Sequence, residues 1–302
     1  NGGTEYAAET YKEGTEVTID KAPTREGYIF KGWYSDEALT QAVTKVTMDS
    51  DKTVYAGWKE DETPVLEKGD HSAYIIGYKD GYVRPNRNIS RAEVATIFFR
   101  LLTDEAREKY WSSTNNYSDV KDTDWCNNAI STLSNMGILK GDKDGRFRPN
   151  DPVTRAEFAA IAARFSDGAA DDYADFSDVP NDYWASKEIA KAAKLGWIKG
   201  YTDGTFRPKN NITRAETMTL VNRVLERGVD EDGLAEDAIQ WADNKPGDWY
   251  YYDVQEATNS HEYARTDKSI DGQSFCYEEW IKLKENRNWA ELETIWKNLY
   301  EK

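Results

Sequence analysis

Cysteine and histidine are scarce in this chain of 302 residues, and long apolar runs are absent. The two cysteines, Cys126 and Cys276, are too few for a disulfide framework or a thiolate metal site, although one bridge between them is left open. The two histidines, His71 and His261, lie in no nucleophile or metal-binding motif, so the sequence predicts no catalytic residue, no metal and no cofactor. Without a run of about 18 apolar residues, no transmembrane helix and no membrane insertion are expected.

Positive charge is also in short supply. The chain has 39 basic and 55 acidic side chains, a formal net charge of -16. Nucleic-acid binding needs a basic face for phosphate contacts, so this balance argues against a nucleic-acid partner, although locally gathered arginines could still bind a polyanion. Aromatic residues, in contrast, are abundant, with 11 Trp and 19 Tyr. They serve as sugar-stacking surfaces or as core fillers, and their number alone does not decide between the two.

Internal repetition is the most informative feature of the sequence. A first box, Gly-x-x-Asp-Gly-x-(Val/Phe)-Arg-Pro, begins at Gly77, Gly141 and Gly200. A second box, (Ser/Thr)-Arg-Ala-Glu, begins at Ser90, Thr154 and Thr213. The first glycine and the boxed arginine are 14 residues apart every time (91 − 77, 155 − 141 and 214 − 200), which chance does not produce.

A third pattern, Asp and Trp six residues apart, marks a leading half of the repeat. It occurs at Asp119 and Trp125, at Asp178 and Trp184, and at Asp243 and Trp249. The first two copies precede the second and third units, the third copy follows the last unit, and the first unit has none. We therefore predict two whole repeats flanked by two halves, with the helix that begins near Trp249 completing the unit that begins at Gly77.

The second box is the start of a helix, because its Ser or Thr can cap the first turn while its Glu reaches back. These glutamates are interpreted as capping rather than catalytic residues, and they are Glu93, Glu157 and Glu216. An apolar stripe at helical spacing follows each box, so the three helices are predicted to be core elements. The apolar residues after the Asp-Gly turns of the first box are also predicted to be buried, and they are Val83, Phe147 and Phe206.

The arginine of the second box has no role in capping, yet it recurs as Arg91, Arg155 and Arg214. The helix dipole disfavours a cation at this position. Free N–H groups at a helix start, together with a guanidinium, would form a receptor for a carboxylate or phosphate. A structural ion pair with a neighbouring acidic residue explains the recurrence equally well.

Tryptophan opens the helix of each leading half, at Trp125, Trp184 and Trp249. Core anchoring is the favoured interpretation, because apolar residues at helical spacing follow these positions. The alternative is a half-exposed ring beside a sugar-binding groove.

The order of the boxes resembles the S-layer homology repeat over about residues 66 to 265. The resemblance implies a mainly α-helical, three-pronged pseudo-trimer with ligand grooves between the prongs. It also implies binding to a pyruvylated secondary cell-wall polysaccharide, with the boxed arginines on the acidic ketal. The glycan-binding candidates are Arg91, Arg155, Arg214, Tyr78, Tyr201, Trp125, Trp184 and Trp249. Asp142 stands where the other units have Tyr78 and Tyr201, so its groove is expected to bind weakly or to serve another role.

Residues 2 to 58 resemble a second family, the Listeria–Bacteroides repeat, on the segments from Gly27 to Tyr34 and from Thr53 to Trp58. The resemblance implies a small β-grasp-like module of surface proteins that acts as a spacer or adhesive stalk. In that family Asn-Gly-Gly follows a first strand, so Asn1 to Gly3 suggests that the chain begins within a module.

The predicted fold class is α+β and multidomain, with the helical bundle between the β module and a C-terminal helical tail. The predicted segments are the β module at 1–60, a truncated first repeat at 66–110, whole repeats at 111–168 and 169–228, and a leading half-repeat with the tail at 234–302. In the tail, the spacing of Trp280, Ile281 and Leu283, and of apolar residues from Trp289 to Leu299, predicts at least one amphipathic helix on the repeat body.

The favoured function is non-catalytic anchoring of a larger exported protein to an acidic glycan of a bacterial cell wall, of the Gram-positive type. The alternative is a docking or assembly module in which the repeats contact copies of themselves within a surface layer. Calcium-dependent docking is a further rival, but its ligand pattern fails, because the loop that begins at Asp142 has Arg146 at its fifth position and Val153 at its twelfth, where ligands are needed.

Overall fold

The computed structural model describes residues 2–4, 7–25, 27–60, 65–166 and 172–301. The chain divides into two compact units, residues 1–63 and 64–302. Asn1, on which the expectation of an incomplete first module partly rests, lies outside the described residues. Among the helices that are described, none combines the length and the apolar character that crossing a membrane requires.

The N-terminal unit is built from short antiparallel strands. They are β1 (Glu16–Thr18), β2 (Tyr28–Tyr34), β3 (Ala42–Val43), β4 (Lys45–Thr47) and β5 (Tyr55–Glu60). β1 pairs with β4, and β2 lies between β3 and β5 in a three-stranded sheet. The core is small and aromatic, with the Phe30 ring edge-on to Trp33 and Trp58 at 5.5 and 5.6 Å between centroids. β2 and β5 coincide with the segments from Gly27 to Tyr34 and from Thr53 to Trp58 on which the resemblance to the Listeria–Bacteroides repeat rests.

The second unit is mainly helical with one β-hairpin. Its elements are α1 (Arg91–Arg100), α2 (Asp104–Tyr110), α3 (Asn127–Asn135), α4 (Arg155–Ala163), α5 (Ser186–Lys194), α6 (Arg214–Val224), α7 (Tyr251–Thr258), β6 (Ser260–Ser269), β7 (Cys276–Lys284) and α8 (Trp289–Tyr300). The mixed α and β composition agrees with the predicted fold class. Cys126 and Cys276 are both free, so the bridge that the sequence left open is not formed.

The helices that follow the second box, α1, α4 and α6, form the core of this unit. Each begins with a complete capping box, as predicted for Glu93, Glu157 and Glu216. The predicted core residues Val83, Phe147 and Phe206 are fully buried, at 0 to 1% exposure. α1 packs against α3, α4 against α5, and α6 against α7, so each leading helix covers the helix of the preceding unit.

Backbone hydrogen bonds join the starts of these three helices in a cycle. The N–H of Arg91 donates to Asp151, that of Arg155 to Asn210, and that of Arg214 to Arg87, at 3.0, 2.8 and 2.9 Å. Each acceptor lies between the first and second boxes of the next repeat, and the third bond returns to the first repeat. Donors that a helix start leaves without intrahelical partners are therefore used between repeats.

The C-terminal half-repeat occupies the place of the half that the first repeat lacks. In each unit the aspartate of the leading half accepts two successive backbone N–H groups of the first box, at 2.7 to 2.9 Å. Asp119 holds Phe147 and Arg148, Asp178 holds Phe206 and Arg207, and Asp243 holds Val83 and Arg84. Likewise, Trp241 covers Gly77, where a Cβ would lie 2.0 Å from the indole ring. The split repeat is thus closed by contacts between the two ends of the unit.

The aspartate clamp has a local reason in the backbone of the first box. Arg84, Arg148 and Arg207 have φ values of 54°, 59° and 56°, in the left-handed region that non-glycine residues seldom adopt. Such a conformation costs on the order of 1–3 kcal/mol. Two charge-assisted hydrogen bonds, donated by successive backbone N–H groups to one carboxylate, offset this cost and hold the turn that carries the first box.

The C-terminal segment corrects one prediction. Trp280, Ile281 and Leu283 lie on β7, which pairs antiparallel with β6, and not on a helix. Along β7 Glu278 and Trp280 are buried while Glu279 and Ile281 are exposed, which is the two-residue period of a strand. The helical assignment was wrong because a short apolar run fits both periods. The predicted amphipathic helix is present as α8, which packs on the repeat body through the buried Trp289 and Trp296.

Candidate functional site

The boxed arginines make the same three contacts with the following repeat. Arg91 donates from Nε to the carbonyl oxygen of Phe147 (2.7 Å), from Nη1 to Glu157 (2.7 Å) and from Nη2 to the carbonyl oxygen of Lys140 (3.1 Å). Arg155 contacts Phe206, Glu216 and Lys199 in this order, and Arg214 contacts Val83, Glu93 and Ile76. Capping and ion pairing are therefore linked, because one glutamate caps its own helix and also binds the arginine of the preceding unit.

The helix start itself has no free N–H group for an anion. At α1 the backbone N–H of Ser90 donates to the Glu93 carboxylate, and that of Glu93 donates to the Ser90 hydroxyl. The backbone N–H groups of Arg91 and Ala92 donate to the carbonyl oxygens of Asp151 and Pro149. Of the two explanations for the recurring arginine, the structural ion pair is the one observed. A guanidinium has five N–H donors, and three are used here, so one donor on each terminal nitrogen remains for a ligand.

The arginine side chains are largely buried. Their exposed fractions are 14% for Arg91, 11% for Arg155 and 5% for Arg214. Burial lowers the pKa of Arg214, while the neighbouring Tyr78 and Glu93 act in the opposite direction. A group this deep can reach a ligand only from the floor of a groove.

Such a groove, of about 690 Å³, lies between the first box of the second repeat, α4 and α5. Its lining includes Arg91, Asp142, Glu157, Arg164, Trp184 and Glu188. The charged residues of its wall are four cations and four anions, which leaves no formal net charge. Ion pairs of Arg91 with Glu157 and of Arg148 with Asp142 neutralise half of them.

The tryptophans of the leading halves are exposed, which contradicts the favoured prediction that they anchor the core. The exposed fractions of Trp125, Trp184 and Trp249 are 62%, 56% and 67%. The residues that follow them take the core positions instead, and these are Cys126, Ala185 and Tyr250. The prediction placed the buried face one residue too early, and the alternative, a ring beside a groove, fits the position of Trp184.

Tyr201 and Tyr78 lie between guanidinium groups. The Tyr201 ring has Arg207 at 3.8 Å and Arg155 at 5.0 Å from its centroid. Tyr78 similarly has Arg84 at 3.8 Å and Arg214 at 5.5 Å. Each ring therefore has two cations within the range of cation–π attraction.

Asp142 replaces the ring in the middle unit and acts differently. Its carboxylate accepts from the N–H groups of Asp144 and Arg146 and binds Nε of Arg148 at 2.7 Å. The pKa of Asp142 is lowered, first by the hydrogen bond from the Arg146 backbone and also by Arg148. Arg148 is thereby paired with Asp142, whereas its counterparts Arg207 and Arg84 pair with Asp203 and Asp80 and lie over a neutral ring instead of a second carboxylate.

A second recurring arginine escaped the sequence analysis, nine residues after each boxed one (100 − 91, 164 − 155 and 223 − 214). Arg164 donates to the carbonyl oxygen of Ile138 at 2.5 Å, and Arg223 to that of Trp197 at 3.3 Å. Arg100 instead binds Glu293 of α8 at 2.9 Å. The fixed spacing was a usable signal, because extending the comparison of repeats along the helix reveals it.

Two families match the chain. The model of the S-layer homology domain matches residues 72–95, 116–159 and 175–218, and that of the Listeria–Bacteroides repeat domain matches residues 1–57. The cell surface glycoprotein 1 of Acetivibrio thermocellus is 39% identical over 220 residues, 68% of this chain and 9% of the relative. The cellulosome-anchoring protein of the same organism is 36% identical over 200 residues, 65% of this chain and 44% of the relative. The chain thus spans less than half the length of these relatives.

Proposed function

Because the chain carries three S-layer homology repeats and a Listeria–Bacteroides repeat, we propose that it anchors a larger exported protein to a bacterial cell wall without catalysing a reaction. A relative named as a cellulosome-anchoring protein supports this role. Relatives named as an amylopullulanase and an exoglucanase match over only 9% and 16% of their own length. The repeats are therefore what proteins of different chemistry share. The proposed location is outside the cell, on the wall or surface layer of a Gram-positive type of bacterium.

The proposed ligand is an acidic, pyruvylated secondary cell-wall polysaccharide. The observation that carries this proposal is the exposed Trp184 on the groove that contains Arg91. The free donors of the guanidinium would bind the ketal carboxylate, and the indole would stack on a sugar ring. The corresponding residues of the other units are Arg155 with Trp249 and Arg214 with Trp125, and Tyr78 and Tyr201 would position their cations.

We further propose that the three units are the prongs of a pseudo-trimer with a groove between each pair. The cycle of backbone bonds from Arg91, Arg155 and Arg214 supports this arrangement, because each unit contacts the next in the same way. The packing of each leading helix on the preceding repeat supports it as well.

The proposal is tested by substituting the three exposed tryptophans and measuring how the variant binds to isolated cell-wall preparations. Replacing Trp125, Trp184 and Trp249 by Ala together removes three exposed rings, of which Trp249 lies edge-on to Tyr250, and leaves every buried core residue in place, so the variant is expected to fold and to lose wall binding. Ile281→Ala, at an equally exposed apolar residue of β7 (64%), is the matched control and should bind as the original chain does. Walls from which the pyruvyl groups have been removed should bind neither the original chain nor the Ile281→Ala control. Unchanged binding by the triple variant, or undiminished binding to stripped walls, would refute the proposal.

Self-association is the second candidate function, because three exposed tryptophans are equally suited to contacts between protein chains. It predicts concentration-dependent oligomers that the triple tryptophan variant does not form. Sedimentation analysis separates the two functions, since a chain that stays monomeric and still binds the wall supports anchoring alone.

A further inference from the structure

The two histidines of the chain meet inside the second unit with two glutamates. His71 precedes the first box of the first repeat, Glu256 lies on α7, His261 on β6 and Glu278 on β7. All four side chains are at most 1% exposed, and one ligand atom from each lies within 4.8 Å of the others. The function proposed above uses none of these residues. No motif in the sequence indicates the cluster, because 190 residues separate the histidines.

Five of the six distances between the ligand atoms are close to those of a tetrahedron, and the sixth, between Glu256 and Glu278, is at most 4.8 Å. Nδ1 of His71 lies 3.2 Å from Nε2 of His261, 2.9 Å from Oε2 of Glu278 and 3.6 Å from Oε1 of Glu256. Nε2 of His261 lies 3.4 and 3.6 Å from the same two oxygens. An ion with four bonds of about 2.0–2.1 Å in tetrahedral geometry separates its ligand atoms by about 3.3 Å. The five distances bracket that value.

The hydrogen bonds around the cluster leave lone pairs pointing into it. Nδ1 of His261 lies 3.0 Å from the carbonyl oxygen of Asn259, which can only accept, so this nitrogen carries the proton and Nε2 presents its lone pair. Oε1 of Glu278 is held by Arg265 at 2.9 Å and by the N–H of Gly228 at 3.3 Å, which leaves Oε2 for the cluster. Such second contacts fix the tautomer and orientation of metal-ligating groups.

The protein offers few donors to these lone pairs, and one of them, the indole N–H of Trp280, lies beside Glu256. Both carboxylate oxygens of Glu256 and Oε2 of Glu278 are buried without a hydrogen-bond partner in the described structure. Neutral His71 has a single N–H to share among them, and its own Nε2 is also unpartnered. Burying unpaired carboxylate oxygens is unfavourable, and a cation bound between them would remove that cost.

We propose that His71, Glu256, His261 and Glu278 are the four ligands of a structural site for a tetrahedral divalent metal ion, and that this ion is Zn²⁺. Two imidazole nitrogens with two carboxylate oxygens suit Zn²⁺, whereas Ca²⁺ and Mg²⁺ prefer more ligands, all of them oxygen. The four ligands leave no open position, which is typical of a structural rather than a catalytic ion.

A bound ion would link the two ends of the split repeat. The N–H of His261 donates to the carbonyl of His71 at 3.0 Å, and the N–H groups of Tyr74 and Ile75 donate to Ala257 at 3.1 and 3.0 Å. His71 belongs to the beginning of the repeat body, while the other three ligands belong to its end. A metal bridge across this joint would raise the stability of the whole unit, because the two ends could no longer separate independently.

Zinc content and thermal unfolding of the full chain test the proposal. After removal of metal with a chelator and dialysis, the chain should take up one equivalent of Zn²⁺, and its Tm should rise by about 5–10 °C at saturating ion. Glu256→Gln should abolish both effects. Glu262→Gln, the same change at an exposed residue of β6, is the matched control and should leave both intact.

Co²⁺ substitution keeps the test decisive if the Glu256→Gln variant fails to fold. The original chain loaded with Co²⁺ should show the strong visible absorption of a tetrahedral centre, and Zn²⁺ should displace it. Three results would overturn the proposal: no stoichiometric Zn²⁺ in the original chain, Zn²⁺ uptake by a folded Glu256→Gln variant equal to that of the original chain, or Co²⁺ spectra without tetrahedral bands. The first of these is the outcome expected if a proton on Glu256 satisfies the cluster instead. None of these readouts depends on wall binding, so failure here leaves the proposed anchoring function untouched.

Discussion

The groove at Arg91 and the corresponding positions around Arg155 share one scaffold but differ at its edge. Both arginines bind a glutamate and two carbonyl groups of the following repeat in the same order. Beside Arg155, the Tyr201 ring faces two guanidinium groups, whereas beside Arg91 the Asp142 carboxylate binds Arg148. The boxed arginine thus makes the same contacts between repeats in both units, while the residue after the first glycine changes the charge beside it.

The arginine scaffold predicts equal losses of stability in the two units. Arg91→Ala and Arg155→Ala each remove a largely buried ion pair and two hydrogen bonds, and each should lower the free energy of unfolding by about 2–4 kcal/mol. Denaturant unfolding of both variants measures this. A difference of several-fold between the two losses would show that the units are not structurally equivalent. These variants would also weaken wall binding through lost structure, which makes them poor probes of ligand contacts.

The exposed tryptophans predict unequal losses of binding. Trp249→Ala should reduce the affinity for an acidic wall-glycan fragment by about tenfold or more, since truncating a ring at the centre of a binding site costs about 2 kcal/mol. Trp184→Ala should cost about threefold or less, because its groove carries Asp142. Titration calorimetry gives both affinities, and thermal unfolding should be unchanged in both variants. A larger loss for Trp184→Ala would reverse the ranking of the two sites.

Substitutions at the residue after the first glycine, Tyr201 or Asp142, should have the smallest effect on glycan affinity and the most specific one. Tyr201→Asp should weaken binding at the Arg155 site by about threefold to tenfold, because the new carboxylate adds a negative charge that repels an acidic ligand. Asp142→Tyr should strengthen binding at the Arg91 groove by a similar factor. Both effects should shrink as the salt concentration rises. If exchanging these residues leaves both affinities unchanged, the difference between the grooves has another origin.

Local patterns in the sequence were sufficient for much of this architecture. The capping boxes of α1, α4 and α6 and the burial of Val83, Phe147 and Phe206 depend on residues close together in the chain, and both predictions are confirmed. Trp184 was misplaced because a helix start has no complete turn to fix the buried face, so an error of one residue exposes the ring. Trp280 was assigned to a helix because a short apolar run does not separate a period of two from one of 3.6.

Other features depend on contacts between distant residues and left no local signal. The N–H groups at the start of α1 are occupied by Asp151 and the Pro149 carbonyl, which only the packing of the next repeat brings there. His71 and His261 lie together because the split repeat closes, and no spacing along the chain predicts that meeting. Glycan contacts by the arginines, tyrosines and tryptophans stay predictions until a ligand is bound.

The indole N–H signals of the tryptophans in NMR spectra provide the most direct test of glycan binding in the grooves between repeats. A ¹⁵N-labelled chain is titrated with a wall-glycan fragment that carries the acidic ketal and, separately, with the same fragment after the ketal has been removed. We expect the indole signals of Trp249, Trp125 and Trp184 to shift with the acidic fragment, with Trp184 requiring the highest concentration, and none to shift with the neutral one. Equal shifts with both fragments, or shifts confined to tryptophans other than these three, would contradict binding through the grooves between repeats.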